Sequence, residues 1–392
     1  MATIPVEAPA PAGHAERVLT PSTLALSGLM LTAMSGFYLL LSAVPAHSAT
    51  LGGDFAAGLS TSALMVTTIA GELYAPRIIG WLGRRAALIA ALLVLAIPAF
   101  ASFSESLALV LLSCAARGLG LGVLLVAACG LAATLAPPAR RAEAMGIYGL
   151  ASAIPAILCV PVGPWALGQL GSGPIGVLAA LVTLLGLGCL VALPRHGEQP
   201  EQAPHPHRLP PLHGAAWPAV AIALGAIVMG ATVTFLPLAH KEAGTGTIML
   251  ALLLQGLGSA VARWASGRPV DRHGPQGAMT VGLAIAVCAI LALAFEGSVA
   301  VLAGMTLSGI AFGIVQTASL AQLLDRATAG QADGASALWN AAYDAGLGLG
   351  GFVLGALAAT SGYAAAFAIT GGGIAVVALL VFRLLEAPRA MC

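Results

Sequence analysis

Residues 266–279 read SGRPVDRHGPQGAM, and residues 75–88 read APRIIGWLGRRAAL. Laid over one another, Gly83 meets Gly274 and Arg77 meets Arg268, both pairs 191 residues apart. Each stretch is a short basic turn that follows a long apolar run. The first comes after the second such run and the other after the eighth. A turn recurring at the same place in two series of apolar runs marks an internal duplication, and duplication of this kind points to a secondary transporter.

The composition sets the class. Apolar residues fill 59% of the 392 positions and charged residues only 8%, against roughly a quarter charged in a soluble domain. Such a chain cannot cover its own surface in water. A helical span needs about 20 mostly apolar residues, and twelve stretches qualify: 22–44, 57–81, 86–103, 107–135, 144–168, 175–193, 215–238, 247–266, 278–295, 299–323, 334–359 and 363–383. Alternating segments of barrel type are not seen, so helices alone satisfy the backbone in lipid. The expected fold is an all-α membrane protein with twelve transmembrane helices in two pseudo-symmetric six-helix bundles, 22–193 and 215–383.

The basic residues orient it. With the N-terminus in the cytoplasm, Arg17, Arg84, Arg85, Arg140, Arg141, Arg195, Arg208, Arg268, Arg272, Arg326 and Arg389 fall on the inner side, and Arg77, Arg263 and Arg383 near inner helix ends. Lys241 alone faces outward. That bias predicts an inner-membrane protein with both termini in the cytoplasm. Pro and Ala richness predicts a disordered cytoplasmic tail at 1–21, and 384–392 reads as a short cytoplasmic tail. The polar, Pro-rich stretch 194–214 reads as an extended cytoplasmic linker between the halves. Its histidines (His196, His205, His207, His213) belong to that solvated linker, and the six cysteines lack metal spacing. No metal, cofactor or nucleic-acid partner is expected. The partners are lipid, protons and a small organic molecule, and the chain reads as a monomer.

At the basic turns the chain resembles the major facilitator superfamily, over all but its tail. That family's turn between the second and third spans reads G-x-x-x-D-R-x-G-R-[RK]. Gly267, Asp271, Arg272 and Gly274 match it, beside Arg268. The first copy keeps Gly83, Arg84 and Arg85, beside Arg77, but has Pro76, Gly80 and Trp81 where Gly, Asp and Arg are expected. The resemblance implies that these turns gate the inner side, with Asp271 set near Arg140, Arg141 and the start of the fifth span. A carboxylate there is favoured by the helix dipole. "RGLGLG", Arg117 to Gly122, resembles the family's intramembrane arginine motif. "VPVGPWALG", 160–168, resembles the Gly-Pro motif of proton-driven drug exporters through Gly163 and Pro164, with Cys159 replacing its first glycine. The prolines of this span, Pro155, Pro161 and Pro164, are expected to bend it.

Three charges sit deep in apolar runs: Glu72, Arg117 and Asp344. An intramembrane ionisable group is costly and functional by default. In the facilitator fold the second and eleventh spans pack together, which brings Glu72 towards Asp344. Asn340, Asp344, Gly348, Gly351 and Gly355 fall on one helical stripe, small enough for close approach. Thr61, Thr68, Glu72 and Ala75 make the facing stripe. Two carboxylates in a low dielectric cannot both carry charge cheaply, so the pair is expected to load and release protons. Arg117 has no acid at i±3 or i±4. It needs a partner from another helix, a substrate anion or backbone carbonyls, and by resemblance it faces the central cavity and helps govern proton traffic.

By the same resemblance spans one, four, seven and ten line the cavity, with Met34, Tyr38, Met229, Thr232, Phe235 and Gln316 as candidate lining. A mostly apolar pocket with a few polar groups fits an amphipathic small molecule. No phosphate loop of the GxxxxGK[ST] type and no HExxH motif occurs, and membrane-embedded catalysis lacks a His, nucleophile or metal set. The expected function is therefore not enzymatic. It is proton-coupled export, an antiporter working in efflux, with an importer or facilitator and a non-transporting sensor as the other readings.

Overall fold

The computed structural model describes residues 19–135, 141–193, 212–327 and 331–386. Most of the tail at 1–21, linker residues 194–211 and the end of the chain lie outside these, as do Arg17, Arg140, Arg195, Arg208 and Arg389. Among the described residues every regular element is helical. They are α1 (Pro21–Leu41), α2 (Ala43–Leu82), α3 (Arg84–Ala96), α4 (Leu107–Leu135), α5 (Arg141–Leu170), α6 (Ser172–Cys189), α7 (Leu212–Ala239), α8 (Thr245–His273), α9 (Pro275–Ala292), α10 (Ser298–Asp325) and α11 (Ala332–Glu386), with short 3-10 turns between some of them.

Ten helical stretches among the described residues are long and apolar enough to cross a membrane. Two carry a break. The stretch Pro21–Leu82 leaves helical geometry at Gly52 and Gly53, and α11 does so at Gly362. At 1.5 Å per residue the first would run for about 90 Å if straight, against a hydrocarbon core of about 30 Å, so it has to turn back.

The sequence reading placed a connection at 45–56. Instead the helix continues through PAHSATL to the glycine pair and resumes at once. Pro45 sits in the first turn of α2, where a missing N–H costs no helical bond, and His47 of this run finds a partner: its Nε2 lies 2.9 Å from the Ser104 carbonyl oxygen, with its ring edge-on to Phe103. Residues 212–214, expected in the linker, open α7 instead. The helix of α5 runs unbroken through Pro155, Pro161 and Pro164. At the start of the described chain, α1 opens on a reciprocal cap between Thr20 and Thr23.

The duplication keeps its register in three dimensions. Positive φ occurs at Gly53 and Gly244, at Gly83 and Gly274, and at Gly171 and Gly362, each pair 191 residues apart. α4 crosses α2 where a Cβ on Gly118 would strike the Leu64 carbonyl and one on Gly122 the Thr68 carbonyl. α10 crosses α8 with Gly309 on the Gln255 carbonyl and Gly313 on that of Ser259. All four residues of each crossing are again 191 apart. Small residues at these crossings let the backbones approach, which is how helices associate where lipid supplies no hydrophobic drive. The wider packing repeats too: α3 lies on α4 as α9 on α10, α1 on α5 as α7 on α11, and α5 on α8 as α11 on α2.

Candidate functional site

The seam between α2 and α11 holds the site. At one end Tyr363 donates a hydrogen bond to the Asp54 carboxylate. Phe55 meets Phe352 edge-on with centroids 5.6 Å apart. Further along, Gly58 lies on the Gly351 carbonyl, Thr61 Oγ1 is 3.1 Å from Thr234 Oγ1, and Ser62 Oγ donates to the Gly348 oxygen at 2.8 Å. The glycines of the predicted stripe, Gly348, Gly351 and Gly355, are the ones that face α2.

Past this zipped stretch come the carboxylates. Asp344 is 6% exposed and Glu72 is half-buried. The two carboxyl groups lie near each other, and the Tyr38 phenol lies near Asp344. Tyr343 stacks on Trp339 with centroids 6.0 Å apart and tilts towards Phe312 at 5.7 Å. Trp339 Nε1 is anchored on Ser319 Oγ at 2.9 Å. The structure thus brings together groups from α1, α2, α10 and α11 around one acidic pair.

Beyond the pair the cross-seam contacts of the glycine stripe end, Ala75 stays buried, and the neighbouring face of α2 is open. Leu73, Tyr74, Arg77 and Trp81 are exposed, and a Cβ added at Gly80, Gly267 or Gly274 would meet no neighbour within 4 Å. The basic turns stand at this end. Arg77 lies over the Tyr74 ring, Arg84 donates to Thr134 Oγ1 at 3.4 Å, and Arg85 donates to the Leu193 oxygen at 3.0 Å. Arg268, Asp271 and Arg272 are exposed. Arg140 and the side chain of Arg141, the expected neighbours of Asp271, lie outside the described residues.

Arg117 stands apart from the acidic pair. It is 2% exposed, in a cleft with Leu40, Leu41, Ser60, Thr61 and Leu64, and its Nε has no hydrogen-bond partner among the described residues. Glu72 lies beside Gly122, five residues further along α4, a rise of about 7 Å.

The expected cavity residues divide. Tyr38, Met229 and Gln316 are partly exposed, whereas Met34, Thr232 and Phe235 are buried. Thr232 is held by Gln255 Nε2 at 2.9 Å, which also reaches Ser308 Oγ at 3.3 Å. Phe235 packs towards Tyr363 at the zipped end. Gly163 seats α5 on α1: a Cβ there would lie 2.9 Å from Ser42 Oγ, which itself donates to the Val160 oxygen at 2.9 Å. Pro164, next along, is half-buried.

Sequence reasoning missed Asp54 and Tyr363. Each follows a glycine with positive φ, but a lone Asp at a helix start looks like any loop charge, and its partner lies 309 residues away. It also missed the Thr232–Gln255–Ser308 network, whose members look like ordinary polar residues of separate spans.

A sequence profile of the Major Facilitator Superfamily matches residues 26–333. No curated protein matches the chain. Among solved structures, a point mutant of the nucleoside transporter NupG superposes with a TM-score of 0.75 at 14% identity, over 93% of this chain and 100% of its own. A bacterial homologue of the human lysosomal transporter Spinster, inward-facing and unoccupied, gives 0.72 at 16%, over 95% and 96%. A point mutant of the peptide transporter POT in complex with sulfate gives 0.72 at 14%, over 94% of each chain. At such identities the likeness is one of fold.

Proposed function

Since the chain belongs to the Major Facilitator Superfamily, we propose that it is a secondary active transporter that exports a small organic molecule across the inner membrane in exchange for protons. Splitting the two broken stretches at their glycines turns ten apolar stretches into twelve spans. With the 191-residue register, these make two six-helix halves joined by the linker that ends before α7, with both termini on the cytoplasmic side. The zipped end of the seam is then external, and the end with the basic turns opens inward.

The observation that carries the reading is the carboxylate pair, Glu72 and Asp344, placed just past the zipped part of the seam. Each half contributes one member. A rocking motion that parts the zipped end changes the surroundings of both at once, so proton loading is tied to the conformational switch. Tyr38, Tyr343, Met229 and Gln316 offer the exported molecule mixed apolar and polar contacts, as suits an amphipathic compound. The basic turns gate the inner side.

The test compares small molecules in spent medium of cells that express the wild type, Asp344→Asn or Glu72→Gln. A compound exported by the wild type and retained by both variants supports the proposal. Export that survives both amides removes the carboxylates from the mechanism, and accumulation into right-side-out rather than inverted vesicles reverses the direction.

A further inference from the structure

Arg117 is a further buried charge, about 7 Å along α4 from the level of Glu72. Its cleft also holds Cys114, one turn earlier on α4, and no carboxylate is among the residues that line it. The hydroxyls that border its cleft are turned elsewhere: Ser60 donates to the Ala57 oxygen at 2.7 Å, and Thr61 pairs with Thr234. A guanidinium does not shed its proton to escape burial, and a charge taken out of water without a partner is among the costliest things a fold can hold.

The duplicated register shows that the position itself asks for no charge. Counting 191 residues on, Arg117 falls on Ser308, Leu41 on Thr232 and Leu64 on Gln255. In that copy the same helix crossing is filled by a neutral network in which Gln255 donates to both hydroxyls. The crossing glycines are identical in the two copies, so an arginine is not needed to pack them. The first copy has apolar Leu41 and Leu64 where the second has its polar pair, and a cation in place of the serine. The cleft leaves room for about one water-sized sphere. That admits a compact ion and excludes a larger organic molecule.

We propose that Arg117 holds a small monovalent anion, a halide or a carboxylate of formate size, in the cleft between α1, α2 and α4. The anion neutralises the guanidinium and ties α4 to the first two spans. The proposal is independent of how Glu72 and Asp344 act.

The test uses the purified full-length chain in nanodiscs. Its thermal unfolding is followed in sodium chloride, bromide, formate, gluconate and sulfate at equal ionic strength. The expected result is a saturable rise of a few degrees in chloride, bromide or formate over gluconate, absent in Arg117→Met and Arg117→Gln. Sulfate controls for the unsaturable salting-out effect. A response to halides assigns the site to an inorganic ion, and one to formate alone assigns it to a carboxylate group. Equal midpoints in chloride, formate and gluconate for the wild type overturn the proposal, as does an unchanged response in Arg117→Met. Should neither variant fold, the wild-type series decides alone.

Discussion

Tyr363 and Asp54 are bonded across the seam although 309 residues separate them, and each is the first residue after a glycine of positive φ. The bond therefore joins the start of one helical segment to the start of another, at the end where the seam is zipped. Opening that end has to break it.

Tyr363→Phe removes the donor and leaves the packing with Phe235. A hydrogen bond to a charged group contributes about 1.5 kcal/mol, roughly a tenfold change in the balance of open and closed forms. The expected outcome, in a Phe352→Cys background, is labelling of that position by a membrane-impermeant thiol reagent several-fold faster than with Tyr363 intact. Asp54→Asn keeps a neutral acceptor and should label at a rate between the two. Equal rates in Tyr363→Phe and wild type would show that the bond does not hold the seam.

Asp344→Asn and Glu72→Gln should each lower gradient-driven transport at least tenfold while leaving folding intact. The double variant should fall little further than either single one, because coupled residues do not add. Initial rates in proteoliposomes with an imposed pH gradient check this. Additive losses would mean two separate sites.

The matched crossings give a stability prediction. Gly118→Ala and Gly309→Ala each push a methyl into a backbone carbonyl that has no flexible end to give way, at about 1–3 kcal/mol each. The two variants should lower the unfolding midpoint by similar amounts. Gly80→Ala meets nothing within 4 Å and should be neutral or slightly stabilising.

His240, between α7 and α8, stacks on Phe367, and its Nε2 has no partner among the described residues. Burial lowers its pKa from 6.5, against the smaller opposing pulls of the Leu293 backbone and Glu296. A folded value below the unfolded one means that the unfolded chain takes the proton first. Stability at this site is thus complete above pH 6.5 and is lost as pH falls towards the folded value. The midpoint of the wild type should drop more steeply below pH 6.5 than that of His240→Gln, with Glu296 the charged group facing it. Parallel pH profiles would remove His240 from the acid response.

How far the sequence could be read follows from what each feature depends on. The repeat was visible in Gly83 and Gly274 because a turn needing positive φ keeps its glycine wherever it is copied. The face of α11 was visible because Gly348, Gly351 and Gly355 follow helical spacing, and close approach requires small residues whatever the partner. The burial of Phe235 and Thr232 was not visible. It depends on which end of the seam is closed, and that is a property of the conformation, not of composition. Nor was the extra helix of residues 45–52, since its polar residues read as a loop until His47 and Ser104 are seen to meet.

The 191-residue register sets Glu72 opposite Arg263 and Arg117 opposite Ser308. The scaffold was copied and the chemistry was not. Each half is therefore an internal reference for the other: a side chain transplanted to its counterpart position enters a backbone crossing of known shape, and only the charge is new. Exchanging the pair, Arg117→Ser with Ser308→Arg, asks whether a function belongs to a position in space or to the half of the molecule in which it arose.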